Sequence, residues 1–550
     1  MSALVFDAVS FSFSSRPLLD RVSFRVGPGE RAFLVGPNGC GKTTLLRLAL
    51  GELRPDSGAV AWEGMGSDAS QPPSAENFPG SVGDYFDEAL APVRALSTTF
   101  ERVTARMAAG GGQSSDDARE YDALLAQMTA RDVWSLDARI DETLAGLGLG
   151  MLTGEGRARH VHTLSPGQRG RLPLAAVLIA KPEVLVLDEP TNHLDAKAVA
   201  FLADTLRAWE GPVLMTSHDR AFIDETATVI YDLDVATWQA LATAEGHDLH
   251  GVYRTNGAYS AFLEAKQKAH RAHADIHAEQ QSEKREIRAH RNAAQSIARG
   301  GVRLSEAQGN AKKFFADRAQ ATSTRRKRSD DRRLEALEER EVRRPRSYNL
   351  TFPLAPAHNA PGLALSAREA AVHGRLAPLT LDLARGEHLL VTGGNGAGKT
   401  TFLNWIASGA SPEGAEASGS ISSDRPVGFV PQRLPHIDDP GFTREVWTEG
   451  VGERGAGMLH PSMWHTRIEE LSAGNQRRAQ LALALAEAPS FLVIDEPTNF
   501  LDLATVEVLE RAFSEWSGTL IIASHDRWLI EHWEGRRLNL APAPAIGDTE

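Results

Sequence analysis

Two segments of the sequence combine closely spaced glycines with a lysine and a hydroxyl side chain. They are Gly36-Pro-Asn-Gly-Cys-Gly41-Lys42-Thr43 and Gly393-Gly-Asn-Gly-Ala-Gly398-Lys399-Thr400. Glycines allow backbone N–H groups to curl around phosphate oxygens, the lysine neutralises the phosphate charge, and the hydroxyl reaches Mg²⁺. Each segment follows a short apolar run and precedes a helical pattern, the strand–loop–helix order that such a loop needs. The sequence therefore predicts two sites that bind nucleoside phosphates together with Mg²⁺.

A pair of adjacent carboxylates follows each glycine-rich segment and ends an apolar run. Asp188-Glu189 follows the run 184–187, and Asp495-Glu496 follows the run 492–494. A buried strand with an acidic turn would explain one such pair, but the pair recurs with each phosphate loop. This recurrence indicates that both pairs act in the phosphate sites.

The same order of motifs occurs twice along the chain. The flanking motifs are Leu164-Ser165-Pro166-Gly167-Gln168 and Ser217-His218-Asp219 in the first copy, and Leu471-Ser472-Ala473-Gly474-Asn475 and Ser524-His525-Asp526 in the second. An offset of 307 residues relates Ser165 to Ser472, Asp188 to Asp495 and His218 to His525. The two loop lysines are 357 residues apart, so the first copy holds about 50 extra residues. We place them around 89–149, where helix-forming residues dominate, and predict a duplicated α/β domain.

Length and composition restrict the class of protein. At 550 residues the chain is long enough for several domains, and its apolar and charged fractions are those of a globular protein. Cys40 is the only cysteine, which excludes an internal disulfide and both iron–sulfur and zinc sites built from cysteines. No apolar run reaches the roughly 18 residues that span a bilayer, and the start of the chain lacks the basic residues of a signal peptide. We expect a cytoplasmic protein that does not enter a membrane.

Positive charge is concentrated in one segment of an otherwise acidic chain. The net charge is −13, yet residues 261–345 hold 21 basic and 13 acidic residues, a local +8 that leaves −21 for the rest. Proline-free stretches over 259–298 and 304–342 predict two long helices with a break at Gly300-Gly301. Apolar residues are too sparse there for a buried bundle, so we predict a projecting helical hairpin.

The basic residues of this hairpin cluster around its turn and the start of its second helix. A solvated charged spacer is the alternative interpretation, but a spacer has no need for like charges concentrated at its tip. The phosphate backbone of a nucleic acid binds such a tip in a sequence-independent way. The residues predicted to contact the nucleic acid are Arg291, Arg299, Arg303, Lys312, Lys313, Arg318, Arg325, Arg326, Lys327 and Arg328. The predicted domains are 1–240, the linker 241–345, and 346–550.

Together, the phosphate loops, the Leu-Ser-x-Gly motifs, the carboxylate pairs and the later histidines resemble those of the ATP-binding cassette superfamily. The resemblance implies two α/β nucleotide-binding domains that close on each other within one chain, which we expect to be a monomer. Each ATP would lie between one phosphate loop and the Leu-Ser-x-Gly motif of the other copy. ATP and Mg²⁺ are the implied cofactors, with a carboxylate as general base and a histidine near the γ-phosphate.

The resemblance assigns roles to residues of both copies. The implied general bases are Glu189 and Glu496, and the implied histidines are His218 and His525. The implied ATP-binding residues are Phe13, Gly36, Asn38, Gly39, Gly41, Lys42, Thr43, Thr44, Gln71, Ser165, Gly167, Gln168, Gly393, Asn395, Gly396, Gly398, Lys399, Thr400, Thr401, Gln432, Ser472 and Gly474. The implied Mg²⁺ residues are Thr43, Gln71 and Asp188 in the first site, and Thr400, Gln432 and Asp495 in the second.

The linker and the runs around the carboxylates resemble one branch of the superfamily, the ABC-F family. These runs are Asp188-Glu-Pro-Thr-Asn-His-Leu-Asp195 and Asp495-Glu-Pro-Thr-Asn-Phe-Leu-Asp502. The resemblance covers nearly the whole chain and implies an α/β fold of two P-loop domains joined by a long α-helical hairpin. It implies that the chain binds the ribosome, contacts rRNA and the P-site tRNA near the peptidyl-transferase centre, and acts in translation or in antibiotic resistance. The alternative is the cytoplasmic ATPase subunit of a multi-chain ABC transporter.

The two copies also depart from each other at residues that contact ATP in the superfamily. Alignment on the phosphate loops places Ala370 opposite Phe13, whose ring the resemblance would stack on adenine. Asn475 stands where the first copy has Gln168. We therefore predict two hydrolytic sites of unequal affinity for ATP.

Overall fold

The computed structural model describes residues 3–13, 16–63, 72–108, 115–192, 194–300, 310–344, 351–352, 354, 361–394, 396–412, 414–437 and 439–543. The chain divides into two compact units. The first comprises Met1–Val35, Cys40–Thr216 and Asp224–Ser347, and the second comprises Gly36–Gly39, Ser217–Ile223 and Tyr348–Glu550. The domain boundaries expected from the sequence at 240/241 and 345/346 stay predictions.

The strands of the first copy form two sheets. They are β1 (Ala3–Phe13), β2 (Arg16–Val26), β3 (Arg31–Val35), β4 (Ser57–Glu63), β5 (Leu185–Leu187), β6 (Val213–Thr216), β7 (Val229–Asp232) and β8 (Tyr253–Asn256). One sheet is antiparallel with the order β2-β1-β4, and the other has the order β5-β6-β3-β7-β8. In the second sheet β8 runs antiparallel to β7, whereas the other pairs are parallel. The parallel strands are nearly all apolar because both faces of the sheet are covered.

Helices connect these strands and form the predicted insertion. They are α1 (Lys42–Ala49), α2 (Val82–Ala89), α3 (Ala91–Arg106), α4 (Ser115–Ala130), α5 (Leu136–Gly146), α6 (Pro166–Ala180), α7 (Ala196–Arg207), α8 (Arg220–Thr226) and α9 (Ala236–Glu245). Helices α3 to α5 fall within 89–149. The helical character that we predicted for the extra residues of the first copy is therefore confirmed.

Two long helices follow the first copy, α10 (Tyr259–Gly300) and α11 (Asn310–Glu339). They pack antiparallel, because Lys284 Nζ lies 2.7 Å from Glu341 Oε2 just past the end of α11, and His290 Nδ1 lies 2.8 Å from Asp330 Oδ2. The predicted helical hairpin is confirmed. Helix α10 continues through Gly300, where the sequence predicted a break, and α11 ends three residues before the predicted residue 342. The predicted start of the second helix at residue 304 lies outside the described residues.

The second copy repeats the two-sheet arrangement. Its strands are β9 (Leu363–Val372), β10 (Leu376–Ala384), β11 (His388–Gly393), β12 (Ala417–Ser423), β13 (Val427–Val430), β14 (Phe491–Asp495), β15 (Thr519–Ala523) and β16 (Arg536–Leu540). Its helices are α12 (Lys399–Ser408), α13 (Arg444–Glu449), α14 (Ala473–Ala486), α15 (Leu503–Glu515) and α16 (Arg527–Glu531). The strand orders are β10-β9-β12 and, in a parallel sheet, β13-β14-β15-β11-β16. The sequence prediction of two P-loop α/β domains is confirmed.

Each copy has an apolar core between its antiparallel sheet, its parallel sheet and the helix after the phosphate loop. In the first copy Phe6 and Phe24 stack with their ring centroids 4.4 Å apart within this core. In the second copy Phe402 and Trp405 of α12 pack into the equivalent core. Burial of this surface fixes the helix beneath the phosphate loop. Among the described residues, no helix has both the length and the apolar character that crossing a bilayer requires.

A buried ion pair fastens the base of α10 to β7. Asp232 in β7 is fully buried, and its Oδ2 lies 2.9 Å from Nζ of Lys266 and accepts a hydrogen bond of 3.2 Å from Nε1 of Trp238. A buried carboxylate is costly unless a cation and hydrogen-bond donors compensate it. The pair therefore fixes the direction in which the linker leaves the first copy.

We predict that Lys266→Met lowers the free energy of unfolding by about 2–3 kcal/mol, because the carboxylate of Asp232 stays buried without its cation. Urea titration gives the free energy, and hydrogen–deuterium exchange should show faster exchange at the start of α10 and in β7. Lys268→Met, two residues along the same helix at an exposed position, is the matched control. An equal loss of stability in both variants would contradict the prediction.

Candidate functional site

The predicted catalytic segments of the second copy meet at one edge of its parallel sheet. The phosphate loop follows β11, the carboxylate pair stands at the end of β14, and Ser524-His525 follows β15. Strands β14, β15 and β11 are consecutive neighbours in that sheet. Because the carboxyl ends of parallel strands meet at the same edge, three segments that are far apart in sequence converge there. Lys399, Thr400 and Thr401 lie in the first turn of α12, and their counterparts Lys42, Thr43 and Thr44 lie in the first turn of α1.

Two glycines of the second phosphate loop are required by its backbone. Gly393 has φ 146° and Gly398 has φ 91°, in the region that favours glycine. A Cβ atom on Gly398 would lie 2.3 Å from the carbonyl oxygen of Arg375, and one on Gly393 would lie 2.6 Å from that of Leu540. The loop can therefore turn tightly enough to direct its N–H groups inward only with glycine at both positions.

The loop lysine of the second copy folds back over its own loop. Lys399 is 8% exposed, and its Nζ donates to the carbonyl oxygens of Gly393 at 2.9 Å and of Gly394 at 3.2 Å. Burial lowers the pKa of Lys399 below its usual value, and the nearby carboxylates of Glu496 and Asp495 offset only part of this shift. The ammonium group is thus held at the mouth of the loop, where phosphate oxygens can replace the carbonyls as its acceptors.

Asp495 and Thr400 bring together two oxygen atoms of the kind that Mg²⁺ prefers. Thr400 Oγ1 donates to Asp495 Oδ2 at 2.7 Å, and burial raises the pKa of Asp495. Mg²⁺ is bound by few protein oxygens together with water and substrate phosphates, so the pair fits a Mg²⁺–ATP site. In the first copy Asp188 has a different neighbour, because Thr216 Oγ1 donates to its Oδ1 at 2.5 Å.

Glu496 has the environment of a general base. Its side chain is buried, and burial raises its pKa to about 7. Its Oε2 accepts hydrogen bonds from the backbone N–H of His525 at 3.2 Å and from Ser524 Oγ at 3.4 Å. Its Oε1 lies 3.7 Å from His525 Nε2 and accepts no hydrogen bond from the residues that the structure describes. One oxygen is therefore anchored, and the other is available to a water molecule.

The predicted general bases of both copies adopt the same unusual backbone conformation. Glu189 has φ 47° and Glu496 has φ 50°, values that non-glycine residues rarely adopt. Such strain persists only where the surroundings enforce it, and it is often found at functional sites. In the first copy Thr216 takes part, because its Oγ1 accepts a hydrogen bond of 3.0 Å from the N–H of Glu189. The residue equivalent to Thr216 by the offset of 307 is Ala523, which has no hydroxyl group; there the N–H of Glu496 donates to the carbonyl oxygen of Ala523 at 2.8 Å.

The Leu-Ser-x-Gly motifs begin helices in both copies. Ser165 caps α6, its Oγ accepts from the N–H of Gln168 at 3.2 Å, and Gln168 Oε1 accepts from the N–H of Ser165 at 3.0 Å. Ser472 caps α14 and accepts from the N–H of Asn475 at 3.4 Å. Gly167 and Gly474 lie in the first turns of these helices. Helix N-termini with free N–H groups suit phosphate oxygens, as the prediction requires.

The predicted pairing of Phe13 with Ala370 is wrong. The left-handed residues Ala8 and Glu369 mark equivalent bulges, and Phe11 pairs with Leu19 as Val372 pairs with Leu376. The turn between these paired residues is four residues shorter in the second copy, so Phe13 has no direct counterpart there. Ala370 corresponds to Val9 and is buried within the sheet. Phe13 itself is 54% exposed at the end of β1, which leaves its ring accessible to a base.

Three of the predicted site residues, Gln71, Asn395 and Arg303, lie outside the described residues. For some residues of the linker helices only the backbone is described. They are Arg299, Lys312, Lys313, Arg318 and Arg326. Gln432, the candidate counterpart of Gln71, is exposed just after β13.

One face of α11 carries a row of arginines. Arg325, Arg328, Arg332 and Arg333 line a shallow groove together with the small side chains of Ala321, Thr324, Ser329 and Ala336. These positions recur at helical spacing, so the side chains lie on one face. Arg332 and Arg333 are not among the residues predicted from the sequence, because that prediction rests on the run of adjacent basic residues at 325–328. The helical i, i+4, i+7 spacing is the signal that identifies all the residues on this face. Within this row Arg333 Nη2 lies 3.3 Å from Glu283 Oε1, and outside it the half-buried Arg291 has its Nη1 3.5 Å from Asp331, so part of the charge of each is compensated.

Comparison with known proteins covers both copies and the linker. The family model described as "ABC transporter" matches residues 19–192 and 376–499. The chain is 34% identical over 564 residues to the tylosin resistance ATP-binding protein TlrC of Streptomyces fradiae, covering 99% of this chain and 98% of the relative. It is also similar to the energy-dependent translational throttle protein EttA of Mycobacterium tuberculosis strain H37Rv, at 27% identity over 94% of this chain and 89% of the relative.

A third relative is the ATP-binding protein Uup of Haemophilus influenzae, at 28% identity over 95% of this chain and 76% of the relative. These full-length similarities agree with two P-loop domains that are joined by a helical hairpin. The chain therefore belongs to the ABC-F family of tandem ATP-binding cassette ATPases.

Proposed function

We propose that this ATPase acts on the ribosome, with both cassettes hydrolysing ATP and the linker hairpin contacting RNA. The observation that carries the proposal is the arginine face of α11, which lies on a long hairpin between the two cassettes. The subunit of a multi-chain transporter gives no reason for such a face. Relatives named for a translational throttle and for tylosin resistance support an action on translating ribosomes.

At the second site, the chain's own residues supply what hydrolysis needs. Lys399 and the N–H groups of the phosphate loop would bind the β- and γ-phosphates, and Thr400, Asp495 and Gln432 would hold Mg²⁺ directly or through water. When bound, Mg²⁺ neutralises phosphate charge. Glu496 would take the proton of the attacking water through its available Oε1, and His525 would face the γ-phosphate.

The first site would use the equivalent residues, whose side chains make different hydrogen bonds with their neighbours. Lys42 and Thr43 would bind phosphate and Mg²⁺, Glu189 would be the general base, and His218 would face the γ-phosphate. Because Asp188 is bonded to Thr216 at this site and Asp495 to Thr400 at the other, we expect the two sites to differ in affinity for Mg²⁺–ATP.

The arginine face would bind the phosphate backbone of rRNA and of the P-site tRNA near the peptidyl-transferase centre. Guanidinium groups pair with phosphate oxygens in a bidentate geometry, and the helical spacing presents several of them along one direction. Binding of this kind is sequence-independent and sensitive to salt. The full-length similarity to a tylosin resistance protein favours protection of the ribosome from a drug as the role of this contact.

We predict that replacing Glu189 and Glu496 together with Gln preserves ATP binding, lowers turnover by at least about a hundredfold, and traps the chain on ribosomes. Gln is close in shape to Glu but accepts no proton, so the ATP-bound state should accumulate. Sedimentation with ribosomes and with membranes in the presence of ATP is the measurement. Glu515→Gln, an exposed change of the same chemistry at the end of α15, is the control. Recovery of the trapped variant with membranes would favour the transporter subunit.

We predict that ATP slows alkylation of Cys40, the only cysteine, because this half-buried thiol lies within the first phosphate loop. Burial raises the pKa of Cys40, so the reaction should be followed above neutral pH. In the double Gln variant, ATP at about ten times its Kd should slow labelling about tenfold. Lys42→Ala should remove this protection and Lys399→Ala should retain it.

The same two lysine variants test the expected difference in affinity between the sites. ATP titrations that give equal affinities for both variants would contradict that difference.

We predict that changing Arg325, Arg328 and Arg332 to Glu weakens ATP-dependent ribosome binding by at least about tenfold and lowers its salt dependence, because phosphate contacts are lost. Affinity for ATP should not change. The control changes Lys268, Arg271 and Arg285 to Glu, which alters net charge equally at exposed positions of α10. Equal weakening by both sets would indicate that overall charge, and not the arginine face, determines binding.

A further inference from the structure

We propose that Arg477 is a positioning residue of the second ATP site. It fixes the backbone of Asp495-Glu496 and the segment that carries Gln432 in one arrangement, so that base and metal-binding segment are held together. The inference rests on the proposed role of Glu496 as general base. It also goes beyond that role, because it makes one site depend on a residue that the other lacks.

Arg477 lies in the first turns of α14 and is fully buried. Its Nη2 donates hydrogen bonds of 2.8 Å to the carbonyl oxygens of both Asp495 and Glu496. Its Nη1 donates to the carbonyl oxygen of Pro431 and, at 2.8 Å, to Oε1 of Gln480. A planar fork of donors can hold several acceptors in a fixed relation, which an ammonium group cannot do.

The acceptors of Arg477 are neutral oxygens, although a guanidinium group is a cation. Burial lowers the pKa of Arg477 to about 10, against the opposing influence of Asp495 and Glu496. Burying a cation is costly, and hydrogen bonds to carbonyl groups compensate less than a bonded carboxylate does. A buried guanidinium group with only neutral acceptors therefore contributes little to the stability of the fold. Its role in holding the carbonyl groups of Asp495 and Glu496 explains why Arg477 is buried there.

The carbonyl group of Glu496 belongs to the residue whose backbone is left-handed. Such a residue relaxes to an ordinary conformation unless its neighbours prevent it. Relaxation would rotate the side chain away from Ser524 and from His525, which now contact one of its oxygens. By holding the carbonyl groups on both sides of the Cα atom of Glu496, Arg477 restricts this rotation.

Arg477 also connects the base to the segment around Gln432. Its bond to Pro431 holds the carbonyl group just before Gln432, and Gln480 Nε2 donates to the carbonyl oxygen of Arg433, just after it, at 3.3 Å. Since Arg477 and Gln480 are bonded to each other, one connected set of hydrogen bonds spans both segments. A movement of Gln432 toward a bound metal would be transmitted to Glu496 through this set.

The first copy has neither of these two side chains. The offset of 307 places Gly170 opposite Arg477 and Pro173 opposite Gln480. Gly170 is exposed in α6, and neither residue has a side-chain donor. Glu189 nevertheless keeps its left-handed backbone, with Thr216 bonded to its N–H group. In the second copy the N–H of Glu496 donates to the carbonyl oxygen of Ala523 at the equivalent position, and the bonds from Arg477 are additional to that contact.

The test measures ATP turnover in the Glu189→Gln chain, where hydrolysis occurs at the second site. Adding Arg477→Met should lower kcat by roughly ten- to a hundredfold, the cost of a misplaced catalytic group, with ATP affinity within about threefold. Arg385→Met is the control, because Arg385 pairs with Asp424 elsewhere in the second unit. This control should leave kcat unchanged.

Arg477→Lys separates positioning from the loss of a charge. It keeps a cation at this position without the planar fork of donors, so it should restore only part of kcat.

Several outcomes would overturn the inference. They are an unchanged kcat in Arg477→Met, full recovery of kcat in Arg477→Lys, an equal loss in Arg385→Met, and a loss of ATP affinity with kcat retained. Thermal unfolding of every variant identifies any failure to fold, and Arg477→Lys then serves as the folded variant. If the Glu189→Gln parent binds ATP but never hydrolyses it, the proposed role of Glu496 fails together with this inference.

Discussion

The buried carboxylate at the end of β14 sets the requirements for the rest of the second copy. Burial brings the pKa of Glu496 to about 7, which suits a base, but it also makes the ionised form costly unless donors hold it. The donors come from the loop after β15, and the strained backbone of Glu496 directs its side chain toward them. The parallel sheet places β14 beside β15, and the packed core keeps both strands from shifting. The order of the strands and the packing of the core therefore together determine the position of the Glu496 side chain.

Duplication preserved this geometry but not the contacts that maintain it. Glu189 and Glu496 are both left-handed, and the neighbouring strand holds each N–H group, through Thr216 Oγ1 in the first copy and the carbonyl oxygen of Ala523 in the second. The second copy adds Arg477, which bonds the carbonyl oxygen of Glu496 and connects it to Pro431. We therefore expect the first base to respond mainly to β6, and the second to respond also to the segment around Gln432. Two copies with the same fold can in this way differ in when they hydrolyse ATP.

The sequence predicts those parts of the site whose geometry follows from adjacent residues. A glycine-rich loop between a strand and a helix, or carboxylates at the end of an apolar run, have one physical solution, and the structure agrees with both. Ala370 was misplaced because an offset measured at the phosphate loop does not apply across a hairpin turn that is four residues shorter. Arg477 was missed because its acceptors at 431 and 495 are distant in sequence, so that only the folded sheet brings them near.

The segregation of charge bears on how the chain would meet RNA. The linker carries a local +8 and the rest of the chain −21, so a polyanion is attracted to one part and repelled by the other. Over distances of about a Debye length, such a field orients the molecule before any contact forms. Within the linker, ion pairs such as Arg291 with Asp331 neutralise some of the charge between the helices. In the proposed complex, the exposed arginines of the α11 row would then determine which side of the hairpin meets the phosphate backbone.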